Sequence, residues 1–123
     1  MITLIGSSET PALVGKNTHY TRNRLLSRID QVAALLPEAP GERMVIFSEN
    51  REEWIFALYA GWKKGLIVVP ADALLPQDEL DYIIGDAAPA VICCSEEKHR
   101  MIQTACENTG CRAAVLVFDK LQL

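Results

Sequence analysis

This 123-residue chain has no block of like charge, only two histidines, and no apolar run near the length of about 20 residues that crosses a bilayer. Each shortage closes a class of function. Twelve basic residues face 16 acidic ones, for a net charge of −4, and the signs are interspersed. No basic stripe can follow a phosphate backbone, so no nucleic-acid partner is expected. No transmembrane segment is expected either. Residues 1–5 are apolar but lack the basic start and long hydrophobic region of a signal peptide. The four cysteines contain no C-x-x-C pair, and His19 and His99 are isolated. Cys93 and Cys94 are neighbours in a strand-like run, where side chains alternate between faces, so the two cannot chelate one metal. With Cys106 and Cys111 they read as small buried residues of a reducing cytoplasm, without metal or disulfide.

What is present is core-forming material. Half the residues are hydrophobic and 23% are charged, which suits one folded domain. The central stretch is 44–76. An apolar run at 44–47 ends at Ser48 and Glu49, and Asn50 is placed to cap a helix with Glu52 and Glu53 in its first turn. Lys63 and Lys64 fall in its last turn, followed by Gly65. A second apolar run, 66–69, stops at Pro70. Two continuous apolar runs joined by a helix predict a β-α-β crossover with parallel, doubly covered strands.

Upstream, 12–14 and 18–20 flank Gly15-Lys16-Asn17 as a hairpin, and Thr21 caps a helix to about Leu36. Its stripe is Leu25, Leu26, Ile29, Val32, Ala33 and Leu36. Downstream, Pro76 sits at a helix start, Leu80, Ile83 and Ile84 make the buried stripe, and Gly85 ends the helix. A strand at 90–94 follows, then a helix capped by Ser95 with Met101, Ile102, Ala105 and Cys106 inward, ended by Gly110. A last strand spans 113–118. The predicted class is α/β: an open, largely parallel sheet with covering helices and an N-terminal β-hairpin.

Chemistry is scarce. Gly61-Trp62-Lys63-Lys64-Gly65 holds glycines and lysines, but at a helix C-terminus, the end that repels phosphate, and its spacing fits no nucleotide loop. Gly6-Ser7-Ser8-Glu9-Thr10 reads as a disordered or docking N-terminal segment. The acidic pairs Glu52–Glu53, Asp78–Glu79 and Glu96–Glu97 read as solvated first-turn charges, and Ser48 and Ser95 as loop or cap residues. Trp54, Ile55, Leu58, Tyr59 and Trp62 read as core, and Gly61 beside them as a point of close approach to the sheet. Asp72 is the polar residue to watch: it follows a strand by two positions, at the edge where parallel sheets bind ligands, although bracing of its own loop explains it too. No residue is assigned a catalytic, cofactor-binding or metal role.

The wording of the crossover is more specific than its chemistry. The segment N-x-x-E-W (Asn50, Glu53, Trp54), the ending K-x-G-x-x-x-V-P (Lys63, Gly65, Val69, Pro70) and L-P-x-x-E-L-x-Y-I-I (75–84) resemble, in order and spacing, the early region of acyl-adenylate-forming enzymes. These are the AMP-binding superfamily of acyl-CoA synthetases, peptide-synthetase adenylation domains and luciferases. Ser48-Glu49-Asn50-Arg51 is most similar to its long-chain fatty-acid CoA ligases. Thr21 and Leu25 fall at that family's T-Y-x-E-L helix start, with Arg22 and Arg24 replacing the Tyr and Glu.

The resemblance implies that residues 1–123 are one domain, the N-terminal fragment of a cytoplasmic carboxylate–CoA ligase. That ligase would use ATP, Mg²⁺ and coenzyme A to activate a fatty acid through an acyl-adenylate. The family's phosphate loop, adenine segment, ribose aspartate and catalytic lysine belong downstream, so the fragment is expected to be inactive and to hold no cofactor. Its expected partner is the remainder of the parent chain. A truncated sheet would expose apolar surface, so a homodimer is expected of the fragment alone. The alternative is a freestanding, non-catalytic α/β binding or interaction module. A receiver-like or flavodoxin-like domain is disfavoured, because no acidic cluster or phosphate loop sits at a strand end.

Overall fold

Strand and helix signals alternate along the sequence, and the structure follows that alternation. The computed structural model describes residues 11–14 and 19–123, with side chains from Thr21 onward. The turn at Gly15-Lys16-Asn17 and the segment 6–10 lie outside the described residues. β1 (Pro11–Val14) and β2 (His19–Thr21) pair antiparallel as the expected hairpin. Then come α1 (Arg22–Ala33), β3 (Arg43–Phe47), α2 (Glu52–Lys63), β4 (Ile67–Ala71), α3 (Gln77–Ala87), β5 (Val91–Cys94), α4 (Glu96–Thr109) and β6 (Ala114–Val117). A single 3-10 turn, Phe118–Lys120, follows.

The central sheet is four-stranded in the order β4-β3-β5-β6, and every pairing is parallel. Residue alternation along the strands divides the core in two. Met44, Ile46 and Cys93 pack with Leu25, Ile29 and Val32 of α1 and Phe56, Ala57 and Ala60 of α2. Val45, Phe47, Ile92 and Cys94 pack with Leu80 and Ile84 of α3 and Ile102 and Ala105 of α4. The chain therefore forms the predicted α/β class, with helices on both faces of a parallel sheet.

Several local expectations differ. β4 is an edge strand, not a doubly covered one: Ile67 is 51% exposed. Pro70 does not stop it but lies within it, opposite Ile46, which an edge permits because the missing N–H removes no bond from a neighbour. Arg51, not Asn50, occupies the cap position of α2, and no side chain bonds the helix end there. Glu52 and Glu53 answer the helix dipole instead. α1 ends at Ala33, before the expected Leu36, and Leu26 faces solvent. Thr21 does cap it, its hydroxyl accepting from the Arg24 N–H at 3.3 Å. Pro76 sits one position before the first residue of α3, and the helix runs past Gly85 to a left-handed Ala88 (φ 44°).

The largest difference concerns the α2 aromatics. Its buried face is Phe56, Ala57, Ala60 and Gly61, while Trp54, Ile55, Leu58 and Tyr59 are half-buried and Trp62 is exposed. The cause is how near the helix lies to the sheet. A Cβ on Gly61 would stand 2.5 Å from Met44 Cε and 2.9 Å from Val68 Cγ2. Only small side chains fit underneath, so the large ones flank the contact. Tyr59 and Trp62 meet edge-to-face at 5.4 Å on that flank.

Candidate functional site

A parallel sheet gathers the carboxyl ends of its strands along one edge. Its crevice opens between neighbouring strands whose outgoing connections run in opposite directions along the sheet. Here those strands are β3 and β5: the chain leaves β3 through α2 toward β4 on one side, and leaves β5 through α4 toward β6 on the other. The residues just past the strand ends are Ser48 and Glu49 after β3, Ser95 after β5, and Asp119 after β6.

These groups bond to one another across the crevice. The Ser95 hydroxyl donates to Glu49 Oε2 at 2.8 Å, tying the ends of β3 and β5 together. Ser48 Oγ donates to the Glu49 carbonyl at 2.8 Å. Arg51 forks onto Glu53, with Nε to Oε1 and Nη2 to Oε2 both at 3.0 Å. Its Nη1 donates to Asp119 Oδ1 at 2.8 Å and lies 3.8 Å from Glu49 Oε1. Asp119 Oδ1 also accepts the Glu96 N–H at 2.8 Å, so a carboxylate from beyond β6 caps α4. Ser95 fills the expected cap position of α4, but its side chain serves Glu49.

The electrostatics follow from those contacts. Glu53, and then Asp119, hold the Arg51 guanidinium more firmly charged than usual. The Glu96 N–H, with Arg51 beside it, holds the Asp119 carboxyl below its ordinary range. Arg51 also lies 5.9 Å from the centre of the Phe118 ring, and Lys98 Nζ 5.7 Å from that of Phe47. Glu53 is therefore an ion-paired residue, not the solvated first-turn charge its position predicts.

Beside this network, an open cavity of about 480 Å³ is lined by residues 48–50, Trp54 and residues 70–74. Asp72 stands there, as expected from its place after β4. Its Oδ1 accepts the Leu74 N–H at 2.9 Å, so it braces its own loop while facing the cavity. His99 lies elsewhere, in a second open cavity of about 510 Å³ with Leu35 and Val115–Val117 along β6.

Such an edge can hold loops in place but offers little chemistry. Ser48 and Ser95 are buried and bonded to Glu49, with no histidine in the network to activate either. The cluster is predominantly acidic, and its arginine is engaged by three carboxylates. It does not fit a nucleotide triphosphate. Among the described residues, no group of three or more His, Cys, Asp or Glu side chains is placed to hold a metal ion. No described helix is long and apolar enough to cross a membrane. Sequence reasoning missed the Glu49–Ser95 and Arg51–Asp119 links, because they join residues 46 and 68 positions apart. The available signal was a polar residue immediately after each buried strand.

Comparison with known proteins gives a consistent answer. The family model described as "AMP-binding enzyme" matches residues 6–123. The mitochondrial malonate–CoA ligase of Xenopus laevis is 23% identical over 111 residues, covering 84% of this chain and 19% of that protein. Among solved structures, ATP-bound MatB from Rhodopseudomonas palustris is 25% identical with a TM-score of 0.73, covering 81% of this chain and 20% of that one. The anthranilate CoA ligase AuaEII, crystallised with anthranoyl-AMP, is 22% identical with a TM-score of 0.84 over 91% of this chain and 22% of its own. The chain spans about a fifth of the length of these relatives.

Proposed function

Because this chain belongs to the AMP-binding enzyme family, we propose that it is the N-terminal scaffold of an ATP-dependent carboxylate–CoA ligase. The parent would convert a carboxylic acid, ATP and coenzyme A into an acyl-CoA, AMP and pyrophosphate through an acyl-adenylate, with Mg²⁺ on the phosphates. Ser48-Glu49-Asn50-Arg51 supports a fatty acid as the substrate, and the cysteine usage supports a cytoplasmic setting. The residues present would carry no catalytic, cofactor or metal role. They would position loops supplied by the remainder of the parent chain.

The observation behind this reading is the closure of the carboxyl edge on itself. Glu49 and Ser95 tie β3 to β5, and Arg51 with Asp119 ties the start of α2 to the start of α4. The side-chain donors of Ser48, Arg51 and Ser95 are turned onto neighbouring acceptors at that edge, which supports a scaffold role. The same closure favours a second reading, a freestanding α/β interaction module, because it too needs no reaction centre. The two separate at the gene: a reading frame continuing past Leu123 into a Gly/Ser/Thr-rich loop supports the ligase scaffold, and a stop codon there supports the module.

Calorimetric titration of the 123-residue chain with ATP and Mg²⁺ tests the scaffold directly. No saturable heat is expected. Tight, stoichiometric binding would overturn the proposal, because the nucleotide site would then lie within these residues.

A further inference from the structure

Cys106 and Cys111 stand on either side of the turn that ends α4. Gly110 is left-handed (φ 76°), and its N–H donates to the Cys106 carbonyl at 2.9 Å. A glycine cap of this kind brings the residue four before the glycine beside the residue just after it, usually in an apolar contact. In this chain both are cysteines. Both are half-buried, both pack against the same apolar cluster under α3 and α4, and the Gly110 cap places them on the two sides of one turn. Cys111 also lines an open cavity of about 300 Å³ with Ile84, Gly85, Thr109 and Arg112. Its N–H donates to Thr109 Oγ1 at 3.3 Å, which fixes the backbone of the turn.

Cys93 and Cys94 differ in access. They are fully buried on opposite faces of the sheet, and burial pushes the Cys94 thiol up to about 12 and the Cys93 thiol upward as well. No reagent reaches them in the folded chain.

We propose that Cys106 and Cys111 form a dithiol that exchanges with low-molecular-weight disulfides and closes reversibly into an intramolecular disulfide across the α4 cap. The reagent enters at the cavity. There the Cys111 thiolate attacks one sulfur of the small disulfide, forming a mixed disulfide and releasing one thiolate. Cys106 then loses its proton to solvent and displaces the second thiolate, forming the Cys106–Cys111 bond. The pair gives up two electrons and two protons, and the small disulfide becomes two thiols. The exposed Arg112 beside the entry favours anionic disulfides such as oxidised glutathione. Burial raises the Cys106 thiol above its ordinary value, so ring closure quickens as pH rises.

The test is titration of the intact chain with oxidised glutathione against reduced glutathione, followed by alkylation and tryptic mass spectrometry. Arg100 and Arg112 bracket both thiols, so one peptide, 101–112, carries the pair. The expected product is that peptide unalkylated and lighter by two hydrogens, while Cys93 and Cys94 are recovered as thiols. Cys111→Ser should lose the bond without a glutathione adduct on Cys106, and Cys106→Ser should trap glutathione on Cys111. Recovery of both thiols alkylated at every ratio, or stable glutathione on both cysteines of the wild type, would overturn the proposal.

Discussion

The two faces of the sheet use the same strands and are held by different means. On the α1–α2 face, contact depends on fit: Gly61 lets α2 settle against Met44 and Val68, and the ties across the surface are the exposed ion pairs Lys63–Asp30 and Lys64–Glu38. On the α3–α4 face the helical glycine, Gly85, is exposed and lies beside Thr109 of α4, away from the sheet contact, and branched side chains fill the space: Leu80, Ile84 and Ile102. Hydrogen bonds knit that pair. Gln77 donates to Asp81 Oδ1 at 2.8 Å and to the Met101 carbonyl at 3.0 Å, and Asn108 donates to Asp81 Oδ2 at 2.8 Å. One face therefore tolerates no added volume, and the other tolerates it at the helix surface.

The largest expected effect probes the fitted face. Phe56 of α2 is 1% exposed in the cluster that α1 and α2 share with the sheet, and Phe56→Ala should cost about 4 kcal/mol, the range for deleting a buried aromatic. Ile84→Ala on the other face should cost about 3 kcal/mol. Urea denaturation monitored by far-UV circular dichroism measures both. A Phe56→Ala loss below that of Ile84→Ala would mean that the fitted face relaxes around the hole, against the picture of a rigid contact.

Two glycines sharpen the contrast, because the same substitution should change sign between them. Gly61→Ala gains about 1 kcal/mol of helix propensity but drives a methyl into Val68, whose branched side chain has little freedom to move. Overpacking costs about 1–3 kcal/mol, so a net loss of about 1 kcal/mol is expected. At Gly85 a Cβ would meet Thr109 Cγ2 at 3.5 Å, an ordinary contact, and Gly85→Ala should stabilise by about 0.5–1 kcal/mol. Thermal unfolding of the two variants reads both signs. A gain at Gly61 would show that α2 can lift from the sheet at no cost.

How much was legible follows the same division. β3 and β5 are continuous apolar runs, and α1 and α4 carry clear 3.6-residue stripes, so their type and order could be read directly. α2 misled because its apolar residues surround most of the helix. Period alone cannot tell which side meets the sheet, and Ala57, Ala60 and Gly61 carry a weak hydrophobic signal beside Trp54 and Trp62. β4 misled because an edge and a central strand of a parallel sheet share the same residue types, and only strand order tells them apart. The carboxyl-edge network was invisible for a further reason. Asp119 caps a helix that begins 23 residues earlier, a relation created by β6 pairing with β5. Asp72 was legible because its place depends only on the strand directly before it.

The smallest expected effect tests whether that edge network adds charge stabilisation beyond packing. Asp119→Asn keeps an oxygen able to accept the Glu96 N–H but removes the charge opposite Arg51 and the start of α4. The carboxylate is 42% exposed, so solvent screens the pair, and a loss of about 0.5 kcal/mol is expected at neutral pH. The pH dependence carries the more specific signature. The carboxyl of Asp119 titrates below its ordinary range in the folded chain, so its contribution is complete above the unfolded value near about pH 4. It is lost as pH falls through the lower, folded value. Wild-type and Asp119→Asn unfolding midpoints should therefore differ at pH 7 and converge as pH falls from the ordinary carboxylate range through the lower, folded value. Curves that stay parallel through that range would assign the difference to the geometry of the cap, with no share for the Arg51–Asp119 charge pair.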